Sequence, residues 1–212
     1  MFSKPLFLFG DIVVVRKAGE IIPEVVRVVH TKRDSSIQPF KMITHCPCCG
    51  SRLVRLTDEA DHYCLNENCY GRRLAGLIYF ASKPAMNIET LGEKVVEEFF
   101  SLGYLKDFTD IYSLYKYRSE LENLEGFGEK SISVLLDNIE KSKNNELSKV
   151  ITALGIRFVG TKVSKILSKK FGSLENLMNA SKEELVAIRD IGERTADSIV
   201  SYFKNNYELV NK

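Results

Sequence analysis

Gly126-Phe127-Gly128-Glu129-Lys130 decides the fold, because the chain repeats its pattern as Thr90-Leu91-Gly92-Glu93-Lys94, Phe158-Val159-Gly160-Thr161-Lys162 and Asp190-Ile191-Gly192-Glu193-Arg194. The central glycines, Gly92, Gly128, Gly160 and Gly192, lie 36, 32 and 32 residues apart. Each is preceded by an apolar residue (Leu91, Phe127, Val159, Ile191) and, four positions before it, by another (Ile88, Leu124, Ile156, Ile188). Seven positions after each comes a third: Phe99, Leu135, Leu167, Ile199. Self-similarity at such a period marks one supersecondary unit used several times. Around the glycines, apolar residues recur at helical spacing, as in Val95, Val96, Phe99, Phe100 and in Ile132, Leu135, Leu136, Ile139. Residues 73–212 therefore read as an all-α domain of four hairpins near positions 92, 128, 160 and 192.

Backbone chemistry gives the repeat a ligand. A short helix ends, the chain turns through the glycine, and a second helix begins. The glycine is expected to allow positive φ and to keep a side chain out of the space between backbone and ligand. The first amides of the new helix have no intrahelical acceptor and carry the positive end of its dipole, which suits a phosphate. Two residues after each glycine stands a cation, Lys94, Lys130, Lys162 or Arg194, placed to reach the same phosphate. Contacts of this kind read no bases, so the grip is sequence-independent. Two features weigh against it. One Gly turn between helices is commonly only a helix cap, and Glu93, Glu129 and Glu193 complement the dipole by themselves and would repel an anion. Four repeats in register, each with a cation at one offset, favour DNA.

Bulk charge does not announce such a partner. Thirty Lys and Arg face 28 Asp and Glu, a net of +2. Residues 1–80 hold 11 cations against 8 anions and residues 81–212 hold 19 against 20. DNA must then be held by placed groups rather than by a general field. No run of about 20 apolar residues is present, so no membrane span is expected. Met1 to Phe9 is apolar but lacks a basic leader and a small-residue cleavage site, which argues against a signal peptide and for a cytoplasmic protein.

The five cysteines, Cys46, Cys48, Cys49, Cys64 and Cys69, all fall within 24 residues. An odd, tightly grouped set without an export signal argues for metal rather than disulfides. Cys46-x2-Cys49, fourteen intervening residues and Cys64-x4-Cys69 give two chelating loops able to converge on one tetrahedral ion. Zn²⁺ is the expected ion, bound by Cys46, Cys49, Cys64 and Cys69 as a closed structural site. Cys48 is a bystander, and His45 and His62 are surface or packing residues, because four thiolates already fill the shell.

The start of the chain has a different texture. Leu6-Phe7-Leu8-Phe9, a turn at Gly10-Asp11, Ile12-Val13-Val14-Val15 and the β-branched run Glu24-Val25-Val26-Arg27-Val28-Val29 read as strands, with Arg16 to Pro23 as a loop. Two or three strands cannot close a barrel, so residues 1–44 read as part of a β domain. The fold class is thus multidomain: an incomplete β segment (1–44), a small four-cysteine zinc finger (45–72) and the helical domain (73–212).

These residues resemble a family. The order of Gly10-Asp11-Ile12-Val13-Val14-Val15-Arg16-Lys17-Ala18-Gly19-Glu20-Ile21-Ile22-Pro23, Cys46-Pro47-Cys48-Cys49-Gly50, Gly155-Ile156-Arg157-Phe158-Val159-Gly160 and Asp190-Ile191-Gly192 is similar to that of bacterial NAD-dependent DNA ligase, from about residue 10 onward. The resemblance implies a partial OB-fold, a zinc finger and helix-hairpin-helix motifs that clamp nicked double-stranded DNA for nick sealing in replication and repair. It makes Arg16 and Lys17 candidates for backbone contact, against the plainer reading of two solvated charges. It adds Gly126 to the DNA-binding set; Thr90 stands where the first motif would have the matching glycine. No Lys-x-Asp-Gly occurs, so the lysine that takes AMP from NAD is not here. No catalytic residue is expected, NAD would belong to an adenylation domain outside the chain, and such a domain could act in trans. The rival readings are a helix-hairpin-helix subunit of another repair system and a zinc-stabilised protein-interaction domain.

Overall fold

The β-branched residues between Ile12 and Val29 do pair. In the computed structural model, which describes residues 7–19, 21–56 and 59–211, β1 (Val13–Ala18) and β2 (Ile22–Val28) form a two-stranded antiparallel sheet. Val13 stands opposite Val28 and Lys17 opposite Pro23, with an irregularity between Val14 and Val15. The loop expected over Arg16–Pro23 shrinks to the tip around Gly19, whose φ of +66° turns the chain; Glu20 lies outside the described residues. The strand expected over Leu6–Phe9 is corrected for Phe7–Phe9, while Leu6 also lies outside the described residues. The backbone there closes a turn instead. Asp11 N–H donates to Leu8 O (3.1 Å), and Leu8 N–H donates to Asp11 Oδ2 (2.8 Å).

Sequence reading missed what anchors that turn. Arg33 donates to both Asp11 oxygens, Nε to Oδ1 at 2.6 Å and Nη2 to Oδ2 at 2.7 Å, and the Asp11 side chain is 2% exposed. A forked guanidinium on a buried carboxylate is among the strongest polar pairs available. The pair holds the Asp11 carboxyl below its ordinary range.

The chain divides into two compact units, residues 1–63 and 64–212. In the first, Val28 and Cys46 are the buried apolar residues among those described, while Val15, Ile22, Val25 and Val26 are exposed. Two strands bury little surface by themselves. A second small sheet pairs β3 (Leu53–Arg55) with β4 (His62–Cys64).

The second unit is helical: α1 (Tyr70–Ala81), α2 (Glu93–Ser101), α3 (Phe108–Ile111), α4 (Arg118–Glu122), α5 (Glu129–Ser142), α6 (Leu147–Ala153), α7 (Thr161–Phe171), α8 (Leu174–Met178), α9 (Lys182–Val186) and α10 (Glu193–Val210). Apolar periodicity builds two cores. One gathers Leu77, Phe80, Leu91, Val96, Phe99, Leu105, Leu121, Ile132 and Leu135. The other gathers Ile151, Ile156, Val159, Leu167, Leu177, Leu185, Ile191, Ile199 and Phe203. Phe108 packs against both. The residues seven positions after each repeat glycine, Phe99, Leu135, Leu167 and Ile199, are all buried. They are therefore what seats each long helix.

Candidate nucleic-acid interface and metal centre

Each of the four repeat glycines is the N-cap of a helix: Gly92 of α2, Gly128 of α5, Gly160 of α7 and Gly192 of α10. The turn before it is the same every time. Leu91 N–H donates to Ile88 O, Phe127 to Leu124, Val159 to Ile156 and Ile191 to Ile188, at 3.0–3.2 Å. Each is a four-residue turn built from the two apolar positions that the repeat preserves.

One expectation is corrected here. Gly92, Gly128, Gly160 and Gly192 do not supply positive φ; their φ values are −76°, −170°, −92° and −87°. A helix N-cap takes extended backbone, which any residue adopts. The left-handed residue sits two positions earlier, third in the turn: Thr90 (φ +71°), Gly126 (+81°), Phe158 (+66°) and Asp190 (+73°). Glycine is the residue favoured at that place in such a turn, and only Gly126 is one.

The cap glycines therefore need another explanation. A Cβ added at any of the four would meet nothing within 4 Å. Neither backbone conformation nor internal crowding calls for glycine there. Three of the shorter helices behave differently. Asp107 Oδ1 accepts from Thr109 N–H at 2.8 Å before α3, Ser173 Oγ from Asn176 N–H at 3.1 Å before α8, and Ser181 Oγ from Glu184 N–H at 3.2 Å before α9. Side chains thus seal the first amides of these three connecting helices, whereas α4 and α6 have no side-chain cap. In the four repeat helices the first intrahelical bonds reach back only to the glycine carbonyl, from Val96, Ile132, Ser164, Thr195 and Ala196. Glycine has no side chain to close the amides ahead of them. Their N-termini are left open.

The cations lie where the spacing puts them, on the second residue of each helix, and Lys94, Lys130, Lys162 and Arg194 are all exposed. Lys162 Nζ lies 3.1 Å from Asp190 Oδ2, which ties the third turn to the fourth. The first two turns meet across a hollow of about 680 Å³ lined by Thr90, Gly126, Phe127, Gly128, Lys130 and Ser131, among others. Gly128 N–H donates to Ser131 Oγ at 3.0 Å. Two asparagines brace the loop that feeds the first turn: Asn138 Nδ2 donates to Glu89 O (3.1 Å) and Asn145 Nδ2 to Met86 O (2.7 Å). No sequence signal marked those braces, because single asparagines carry no periodicity. Arg16 and Lys17 lie in the other unit, on β1, and Arg16 pairs with Glu24 of β2 at 3.1 Å with both side chains well exposed.

The cysteine loops do converge. One Sγ from each of Cys46, Cys49, Cys64 and Cys69 lies within 4.8 Å of the other three. A tetrahedral ion at about 2.3 Å from each sulfur needs edges of about 3.8 Å, so the set fits zinc with small adjustment. Cys46 and Cys69 are buried, while Cys48 is exposed and outside the cluster. Backbone geometry prepares the loops: Gly50 N–H donates to Cys46 O at 2.9 Å, Cys46 N–H to Ser51 O at 2.8 Å and Cys69 N–H to Asn66 O at 3.1 Å. Cys69 is also the N-cap of α1, so one thiol is fixed to the start of the helical unit. His45 is exposed and close to Thr44 Oγ1 (2.9 Å), while His62 Nδ1 is buried without a hydrogen-bond partner. Neither belongs to the cluster.

Residues 45–70 match a family model described as the NAD-dependent DNA ligase C4 zinc finger domain, and residues 149–209 match the helix-hairpin-helix motif. The second match covers the turns at Gly160 and Gly192. Relatives are similar over nearly the whole chain: DNA ligases of Acholeplasma laidlawii (50% identical over 195 residues), Bacillus cytotoxicus (48% over 196) and Anoxybacillus flavithermus (50% over 194). Each alignment covers 92% of this chain and 29% of the relative, so the chain spans less than a third of the length of these curated relatives. No helix among the described residues is long and apolar enough to cross a membrane. By the zinc-finger match and these relatives, the chain is similar to the zinc-finger and helix-hairpin-helix region of NAD-dependent DNA ligases.

Proposed function

We propose that this chain is the DNA-holding part of a cytoplasmic NAD-dependent DNA ligase and grips nicked double-stranded DNA through phosphates, without reading sequence, during replication and repair. The observation that carries the reading is the contrast in caps. Four helices begin at glycines with open space in front and a cation on their second residue, while the connecting helices α3, α8 and α9 close their own amides with side chains. On this reading the helix-hairpin-helix motifs number four, and Gly92, Lys94, Gly126, Gly128, Lys130, Gly160, Lys162, Gly192 and Arg194 face the backbone. Arg16 and Lys17 add contacts from the β segment, a part of an OB-fold.

Cys46, Cys49, Cys64 and Cys69 hold a structural zinc ion. With all four positions taken by thiolates, the ion has no open site for water, so its contribution is folding energy rather than chemistry. Chelation should collapse the segment around residues 45–70 and lower the melting temperature; circular dichroism and melting unchanged by chelator would remove zinc from the account.

The residues given contain no Lys-x-Asp-Gly, so this chain alone is not expected to form the lysyl-adenylate or to use NAD. The deciding experiment has two arms. Nicked duplex titrated across salt should bind, and Lys130→Ala or Arg194→Ala should weaken binding equally for all sequences and lower the salt slope by about 1 for each lost phosphate contact. Adding a ligase adenylation domain in trans should then yield sealed product. Binding that depends on sequence, or none, defeats the first arm; binding without sealing leaves a DNA-binding subunit of another repair system as the better reading.

A further inference from the structure

The four left-handed residues, third in each turn, are exposed: Gly126 suits the conformation, Asp190 is of a type that tolerates it, and Thr90 and Phe158 are strained. Of the four, Phe158 is the one that is also large and apolar. It holds φ at +66°, where a bulky side chain is strained, and its residue surface is 48% exposed. It is not among the apolar residues packed against either core. Burial in a core therefore does not offset the strain and the exposure. The Arg157 guanidinium lies over the ring, its Cζ 4.9 Å from the centroid, and so covers one aromatic face with a cation.

We infer that Phe158 is a DNA-contact residue that lays its uncovered face and edge on a deoxyribose beside the phosphate held at the start of α7, with Arg157 carried on its back toward the strand. This rests on the DNA-binding reading above and deepens it. The ring stands three residues before Thr161, in the same turn that presents the open amides of α7. A phosphate seated there brings its neighbouring sugars against the turn. Sugars offer apolar C–H edges, and an exposed aromatic ring gains by covering them. Insertion between base pairs would need both ring faces, and Arg157 occupies one. The contact is therefore indifferent to sequence and to the presence of a nick. Equivalent places in the other turns carry no ring, which makes the third turn the one with an apolar hold.

The test uses the full chain, intact and nicked duplexes, and binding measured across salt. Phe158→Ala should weaken both duplexes about tenfold, the loss expected for a ring that covers part of a sugar. The salt slope should not change, because no ion is released or regained. Lys162→Ala in the same series should lower the slope. Phe158→Gly should lose the same affinity while melting at the same or a higher temperature, since glycine relieves the left-handed strain. Phe158→Leu should recover part of the affinity. The proposal is overturned by a Phe158→Ala affinity within twofold of the parent chain, by a changed slope, by a loss confined to nicked duplex, or by a lower melting temperature in Phe158→Gly, which would make the ring a packing residue. A parent chain that binds no duplex overturns the underlying reading along with this one, whereas a parent that binds beside an indifferent variant overturns this one alone.

Discussion

The two halves of the helical unit carry the same turn by different means. In the first, the turns at Gly92 and Gly128 sit on an aromatic core containing Phe80 and Phe99, and asparagine side chains from α5 and the α5–α6 turn hold the backbone at Met86 and Glu89. In the second, the turns at Gly160 and Gly192 sit on a core whose one buried aromatic, among the described residues, is Phe203. There an exposed ion pair, Lys162 to Asp190, joins them. A repeat motif thus prescribes its apolar anchors and its turn, and leaves the bracing between turns to whatever each half can supply.

Breaking the cores is the harshest way to probe that difference. Phe99→Ala should destabilise by about 3–5 kcal/mol and Leu167→Ala by about 2–5 kcal/mol in denaturant melts. If the halves open separately, amide exchange should rise mainly in residues 70–142 for the first variant and in residues 147–210 for the second. Equal loss of protection across both halves would mean that they are one cooperative block.

The braces come next. Asn145→Ala removes a partly buried bond to Met86 O and should cost about 1–2 kcal/mol. Asp190→Asn keeps a residue that tolerates positive φ, removes only an exposed ion pair and should cost no more than about 1 kcal/mol. A larger loss at Asp190 than at Asn145 would reverse the comparison. The left-handed sites sharpen it further, since the sign of the change should depend on the resident. Gly126→Ala should lower stability by about 1 kcal/mol, and Thr90→Gly should raise it by a similar or smaller amount. The melting temperatures of that pair should move in opposite directions.

Titration gives the smallest effects. Burial pushes Tyr202, in the second half, up to about 12. In the first half burial also raises Tyr112, which Ser142 partly offsets by its hydrogen bond. A raised folded value means that the native state keeps its proton longer than the unfolded chain. The contribution of Tyr202 is therefore present in full below its ordinary value near 10 and is lost as pH rises through about 12. Tyr202→Phe should flatten the alkaline side of the stability curve in that window. In the other unit the direction is opposite. Arg33 lowers the Asp11 carboxyl from its ordinary value near 3.8, so the stability of that pair is present above this value and lost as pH falls through the lower folded one.

Much of this was legible in the sequence, for a physical reason. Apolar residues at fixed offsets from Gly92, Gly128, Gly160 and Gly192 can be buried together only if each turn recurs, so the repeat carries its own geometry. The cysteine spacing was legible because two short chelating loops have few ways to meet. The left-handed positions were misplaced because glycine is the usual signal for positive φ, and three of the four sites use Thr90, Phe158 and Asp190 instead. The Asp11–Arg33 pair was invisible because its partners lie 22 residues apart with no periodic relation. The loop expected at Arg16–Pro23 became strand because the tip at Gly19 lets β2 begin at Ile22 opposite Ala18, with Pro23 opposite Lys17.

The glycine caps have a consequence for how such a chain would evolve or be engineered. A Cβ at 92, 128, 160 or 192 meets nothing within 4 Å, so serine or aspartate there would add a capping bond, a gain of roughly a few tenths of a kcal/mol each over glycine. A selection for heat resistance alone should therefore drift toward these substitutions, and every step along that route would shut an amide that the proposed function assigns to a phosphate. Thermostable variants recovered without a binding screen should be found deaf to their ligand, one turn at a time.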